Sequence, residues 1–341
     1  MVLRINSDLS ADVADLTASN PLEENRGVSF IGTQKTGPFD VSGSTAREWL
    51  RLPSNPNGRP NADVVKPWMN GMDVVRRPSD RWIVDFGCKM SEAEASLYQG
   101  PFEHTRRHVW PLRKDVRRDG HRRYWWRLGE TRPGMRATLL GLSRYIATPR
   151  VAKHRIFVWL DAAVLPDCQL VVVGREDDFT FGVLHSRFHE AWALRLGTSL
   201  EDRPRYTPSS IFETYPFPAG MTPDVAATSV LSIPTAKDVA EAGTRLDALR
   251  MAWLNPPELV RVEPEVVPGF PDRLLPVDEI SAKQLAKRTL TTLYNERPTW
   301  LDNAHAELDA AVATAYGWPA DISTEDALAR LLELNLERSS S

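Results

Sequence analysis

Fifteen Lys or Arg residues lie between Pro101 and Arg155, against four Asp or Glu, in a chain of 341 residues with a formal net charge of −3. Aromatic side chains run through the same stretch, most densely in HVWPLRKDVRRDGHRRYWWRL at 108–128. A guanidinium or ammonium group that meets a phosphate releases condensed counterions, and an aromatic ring beside it can wedge against a sugar or base. That is chemistry for a polyanion, with nucleic acid as the first candidate. The expected backbone contacts are Arg113, Lys114, Arg117, Arg118, Arg122, Arg123, Arg150, Lys153 and Arg155, with Trp125 and Trp126 as the wedges. Tryptophan is mostly buried in folded proteins, so core packing stands beside the wedge reading for that pair.

Three other groupings could do chemistry, and each has a plainer explanation. Asn255-Pro256-Pro257-Glu258 is close to the Asn-Pro-Pro-aromatic motif with which amino-methylating DNA enzymes grip a flipped base. Glu258 cannot stack, and the tetrapeptide follows a predicted helix, so it reads as helix termination by proline. Asp73, Asp85 and Lys89 could imitate a metal-dependent nuclease core, but Gly87 stands where the carboxylate before the lysine belongs. His185 and His189 share a helix face at i, i+4 without an evident third ligand, so no metal site is expected. Gly32, Gly37 and Gly43 are too widely spaced for a cofactor loop, and Val173-Gly174-Arg175 offers a single glycine. No catalytic residue and no cofactor site is therefore expected in this chain.

The elements that must position these residues divide at about 219. Residues 29–218 read as mixed α and β, with strands at 29–32, 81–86, 154–160 and 168–173. Ser91 and Glu94 have capping-box spacing and open a short helix to about 98. Apolar spacing predicts a helix over 182–196, and Pro216-Phe217-Pro218 closes the region. Residues 219–341 hold 11 basic and 19 acidic side chains and read as helices at 236–254, 280–294, 301–316 and 325–336. Ser323 is the expected N-cap of the last, and Gly317 the stop of the third. Six prolines in 255–276 argue against a helix or central strand there. The excess of acids would repel phosphates and suits a supporting part. Residues 1–28 read as a linker. Two cysteines, Cys88 and Cys168, exclude a disulfide framework. No apolar run approaches a membrane span and no signal peptide opens the chain, so a cytoplasmic protein is expected. The fold class is α+β: a mixed α/β domain over 29–218 and a small all-helical domain over 219–341.

Several phrases together resemble a known family. They are Ser29-Phe30-Ile31-Gly32-Thr33-Gln34, VVKPWMNGMD at 64–73, WIVDFG at 82–87, TPRVAKHRIF at 148–157, LHSRFHEAWALRLGTSL at 184–200, Arg205-Tyr206-Thr207 and FETYPFP at 212–218. In this order they resemble the target recognition domain of MmeI-like DNA methyltransferases, type II restriction–modification enzymes specific for adenine. TLTTLYNERPTW at 289–300 and AYGWP at 315–319 resemble the small helical domain that ends such enzymes. The resemblance implies a double-stranded DNA partner. It also implies a catalytic methyltransferase domain or subunit that carries S-adenosylmethionine and both catalytic motifs, upstream of anything in this chain. In such domains the base-reading side chains precede the closing Pro-Phe-Pro turn. That assigns Arg187, Glu201, Arg203 and Arg205 to base recognition, Arg to guanine O6 and N7 and Glu to the cytosine amino group. A salt-bridged surface loop is the competing reading of 197–206, and Tyr206 and Phe212 are expected to pack. Two other functions remain open at this point: a stand-alone DNA-binding regulator or decoy, and a metal-dependent nuclease.

Overall fold

Leu170-Val171-Val172-Val173 is an apolar run with no polar alternation, the pattern of a strand covered on both faces, and all four residues are buried. The run is an inner strand of the main sheet in the computed structural model, which describes residues 15–200 and 203–340. The chain enters that sheet as β1 (Ser29–Ile31) and leaves it at once. It then forms β2 (Asp40–Ser42), α1 (Gly43–Leu50), β3 (Val65–Met69), α2 (Gly71–Val75) and β4 (Arg81–Val84). The basic run follows as short helices: α3 (Glu92–Ser96), α4 (Gln99–His108), α5 (Trp110–Arg113), α6 (Asp119–Arg123) and α7 (Pro133–Leu139). The chain returns as β5 (Arg144–Pro149), β6 (Val158–Asp161), β7 (Leu165–Pro166) and β8 (Leu170–Val173).

Two four-stranded sheets result. The main sheet has the order β1-β8-β5-β6 and is antiparallel throughout. The smaller sheet has the order β2-β4-β3-β7, antiparallel except where β7 runs parallel to β3. One short segment, β7 followed by β8, therefore serves both sheets. The smaller sheet packs Val41, Val65, Trp82 and Val84 against Phe86, Phe102, Trp125 and Trp126. The Ser91–Glu94 capping box is formed in full, with Ser91 Oγ accepting the Glu94 amide and Glu94 accepting the Ser91 amide.

Beyond β8 come α8 (Asp178–His185), α9 (Arg187–Leu196), a two-residue ribbon of β9 (Ser199–Leu200) and β10 (Arg203–Pro204), and α10 (Ala227–Val230). Then follow α11 (Pro234–Leu254), β11 (Val260–Glu263), β12 (Arg273–Pro276), α12 (Glu279–Leu285), α13 (Leu290–Glu296), α14 (Thr299–Ala315) and α15 (Thr324–Ser339). The fold is α+β with a helical C-terminal region, as the sequence pattern implies. Two predicted helices are each split by a residue that caps the second half. Ser186 accepts the His189 amide and opens α9. Thr289 accepts the Thr292 amide and opens α13. The proline-rich stretch after α11 contains an isolated antiparallel ribbon, β11 with β12, which the prolines hid. Ser323 caps α15, and Gly317 follows α14 at a φ of 71°.

The expected boundary at 219 falls within a continuous core. One buried cluster includes Val173, Phe181 and Tyr215 together with Val239, Leu246, Leu308 and Leu331. The approach of α8 to α11 depends on two glycines. A Cβ on Gly182 would lie 2.8 Å from the Val239 carbonyl oxygen, and one on Gly243 would lie 3.1 Å from the Gly182 Cα. Residues 15–28, read as linker, are bound to the same body. Leu16 and Leu22 are buried, and the Asn25 side chain donates to the Phe212 and Tyr215 carbonyls. Asn20 and Asn335 exchange hydrogen bonds, tying this segment to α15. The rest of the predicted linker, residues 1–14, lies outside the described residues.

Gly182→Val should force α8 and α11 apart at a backbone contact and destabilise the chain by about 2 kcal/mol. In urea or thermal unfolding the sheet and the C-terminal helices should lose their structure at one shared, lowered midpoint. An unchanged midpoint would refute the close approach.

Candidate nucleic-acid interface

The basic run divides into two populations with different work to do. Arg113 is buried, and all five of its N–H groups are spent on main-chain carbonyls. Nε donates to Thr36 at 3.1 Å, Nη2 to Lys35 at 2.7 Å and Thr36 at 2.8 Å, and Nη1 to Trp125 and Arg127. Its guanidinium also sits over the Phe39 ring, and burial pushes its pKa down to about 10. Arg127 works similarly, donating to the carbonyls of Cys88, Lys89 and Met90. Trp125 and Trp126 are buried, with indole N–H groups donating to Glu92 and to the Met90 carbonyl. This corrects the expectation for Arg113, Trp125 and Trp126. They are the interior of the smaller lobe, and no phosphate or sugar can reach them there.

Arg155 is corrected for the same reason. It is buried and donates to Thr148 Oγ1 at 3.0 Å and to the Pro149 and Pro204 carbonyls. Its guanidinium covers the Tyr206 ring, and burial pushes its pKa down to about 10. Arg155 thereby fastens β10 to β5. Tyr206 and Phe212 pack in the core as expected.

The other population faces solvent. Lys114, Arg117, Arg118, Arg122, Arg123 and Lys153 are exposed, and Arg150 is half-buried. Arg118 pairs with Glu130 at 2.8 Å and Arg122 with Asp119 at 2.6 Å, while Lys153 donates to Asn295 Oδ1 at 2.7 Å. Exposed pairs of this kind exchange readily for other anions because each contributes little. Arg118, Tyr124, Arg127 and Arg132 line a pocket of about 270 Å³.

The four expected base readers separate. Arg187 is turned to the C-terminal region: its Nη2 donates to the Ile322 carbonyl at 2.6 Å, its amide to Asp309 at 2.8 Å, and its guanidinium lies over Phe188. It is removed from the reading set, because its donors hold α9 against the loop before α15. Arg203 and Arg205 are exposed on and after the short ribbon, where Arg205 bridges Val151 and its amide donates to the Thr198 carbonyl. Glu201 lies outside the described residues. The structure also supplies one arginine that the sequence pattern did not single out, Arg132, which lies at the rim of the same pocket. Its signal was present in principle, because an arginine directly before Pro133 and a helix is an unusual N-cap.

The competing chemistries find no support in the geometry. His185 is buried between the Phe157 amide and the Phe181 carbonyl and is 2.8 Å from Arg250. His189 is buried between the Leu184 carbonyl and the Tyr206 hydroxyl. Asp73 caps α2, and Asp85 is paired with Arg136 at 2.8 Å. Among the described residues no three His, Cys, Asp or Glu side chains could hold a metal ion. Asn255 ends α11, its amide donating to the Met251 carbonyl. No described helix is long and apolar enough to cross a membrane.

No family model matches the sequence, and no curated protein does. Among solved structures the fold is similar to that of a protein described as the type IIL restriction–modification enzyme MmeI in complex with DNA. The TM-score is 0.66 at 18% identity, over 99% of this chain and 39% of that one. The chain thus spans well under half the length of its structural neighbour, and the likeness is one of fold.

Two predictions follow from the buried groups. Arg113→Met should leave several carbonyls without donors and lower stability by about 3 kcal/mol, measured by denaturant unfolding. A loss below about 1 kcal/mol would mean that the carbonyls find other partners. The second concerns pH. Burial holds His189 neutral with a pKa of about 3 and His305 with one of about 4. Both regain an ordinary value near 6.5 when unfolded, so the unfolded state binds more protons between those limits. Stability is complete above about pH 6.5 and falls as pH drops below it, by about 1.4 kcal/mol per pH unit for each histidine. Burial holds His185 neutral as well, so His189→Gln should remove only this ring's share, about 1.4 kcal/mol per pH unit, and an unaltered slope would show that this ring does not drive it.

Proposed function

We propose that this chain is the DNA-recognition module of an adenine-specific DNA methyltransferase in a restriction–modification system. The observation that carries the reading is the fold likeness, over nearly the whole chain, to a restriction–modification enzyme whose structure includes DNA. The exposed basic residues agree with it. Lys114, Arg117, Arg118, Arg122 and Arg123 hold the phosphate backbone without regard to sequence. Arg203 and Arg205, on and just after the ribbon fastened by Arg155, read base edges. Base flipping and methyl transfer belong to a catalytic domain or subunit that binds S-adenosylmethionine outside these 341 residues.

The test is duplex binding by fluorescence anisotropy across a salt series. Affinity should fall by roughly three decades between about 50 and about 200 mM salt. Replacing Arg117, Arg118, Arg122 and Arg123 together by Gln should weaken binding to all sequences alike and reduce the salt slope by about one per lost contact. Arg203→Gln or Arg205→Gln should instead change base preference by about 1–3 kcal/mol per contact. Wild-type affinity in the fourfold variant would overturn the assignment of that face. Methyl transfer by the chain alone, or metal-dependent cleavage of DNA, would overturn the division of labour.

A further inference from the structure

Arg132 breaks three local rules at once. It occupies the N-cap of α7, where Ser, Thr, Asp or Asn would accept an amide, and its side chain makes no such bond. It precedes Pro133, a position that favours extended backbone. It nevertheless lies in the left-handed region, at φ 56° and ψ 63°. A non-glycine residue enters that region at a cost, and such outliers gather where a side chain must be aimed for function.

The aim of Arg132 is toward the seam between the two sheets. Its Nε donates to the Gly32 carbonyl at 3.2 Å. Gly32 abuts the far side of the seam so closely that a Cβ would lie 2.2 Å from the Asp167 carbonyl oxygen. The next carbonyl along, that of Cys168, receives Nη1 of Arg150 at 3.2 Å. Two guanidinium groups, from residues that flank β5 in the sequence, are thus fixed by one N–H each to carbonyls on the two sides of this seam, Gly32 and Cys168. The Tyr206 amide donates to the Arg150 carbonyl at 2.7 Å, which brings Arg205 to the same place. Burial and the positive charges of Arg205 and Arg132 hold the Arg150 guanidinium below its usual pKa range. Among the described residues none of the three pairs with a carboxylate, and the remaining Nη groups of Arg132 and Arg150 make no protein hydrogen bond. Arg113 and Arg127 spend their donors on the protein; these arginines keep theirs.

We propose that Arg132 and Arg150 form a phosphate seat at the seam, which takes one backbone phosphate of duplex DNA beside the base edges that Arg205 meets. The proposal rests on the DNA-binding reading above and adds to it a fixed point. Flexible surface arginines supply affinity at many registers, whereas two guanidinium groups anchored on the main chain supply one. Arg132 also lines the pocket shared with Arg118 and Tyr124, so the seat is continuous with the exposed basic face.

The experiment uses the full chain with Arg132→Gln, Arg132→Gly, Arg150→Gln and the double Gln variant. The probe is a fluorescent duplex of arbitrary sequence, titrated from about 50 to about 200 mM salt. Each single variant should bind about tenfold more weakly at low salt, with a salt slope reduced by about one, and the double variant by about two. Arg132→Gly relieves the left-handed backbone, so it should melt at or above the wild-type temperature while still losing affinity. That separates a lost contact from a lost fold. Wild-type slopes in all the variants would overturn the seat and leave DNA binding standing. Absence of salt-dependent duplex binding by the wild type would overturn the DNA reading and the seat together. A wild-type melting temperature raised by inorganic phosphate, without duplex binding, would reassign the arginines to a free anion and overturn the proposal.

Discussion

Gly32 meets the carbonyl of Asp167 at a separation that leaves no room for a side chain, and the arrangement of both sheets depends on that contact. The amide and hydroxyl of Thr33 both donate to the Pro166 carbonyl, and the amide of Asp167 donates to the Met69 carbonyl. The end of β1, the end of β3 and the β7–β8 segment are thus bound within a few residues of one another. The smaller lobe is inserted between β1 and β5, so a gap at this seam would let it swing against the main sheet. With the seam closed, the ends of that lobe are fixed. Whatever the arginines at its edge contact, they contact it from a defined place.

The basic run looks in sequence like one feature and is two in space. Burying a guanidinium requires partners for five donors, and its planar fork suits main-chain carbonyls as well as carboxylates. Arg113 takes such carbonyls from Lys35, Thr36, Trp125 and Arg127, and Arg127 takes them from Cys88, Lys89 and Met90. The lobe has short helices and little regular sheet, so it has many loop carbonyls to satisfy. Arginine serves as its internal cross-link. Tryptophans lie between these arginines because they form the apolar part of the same core. A local excess of positive charge therefore overstates the charge offered to a partner.

The sequence pattern made the apolar strands and the long C-terminal helices legible, because each buries a face with a regular period. Ser91, Ser323 and Gly317 marked element ends correctly, since capping is a local interaction. Three features were not legible, each for a physical reason. The continuity of the core across 219 depends on Gly182 and Gly243, and a glycine in a helix does not announce the helix it touches. The division of the arginines depends on which loop carbonyls come near, a tertiary matter. The β11–β12 ribbon was hidden by prolines that edge strands tolerate. Of the candidate interface, composition and phrase order pointed to the residues of α6 and the short ribbon near Arg205, and the structure leaves their arginines exposed. Arg132 was not singled out because what sets it apart is its backbone conformation.

Under the DNA-binding reading, support and readout are separated along the chain. Arg155 and the His189–Tyr206 hydrogen bond hold the base of the β9–β10 ribbon from inside the core, while Arg203 and Arg205 stand outside it. A side chain that reads a base must be held by others that do not touch the base. Exchanging the exposed side chains leaves the Arg155 and His189–Tyr206 contacts in place, so under that reading preference would change without a change of fold. Exchanging Arg155 or Tyr206 would release the ribbon and degrade every preference together.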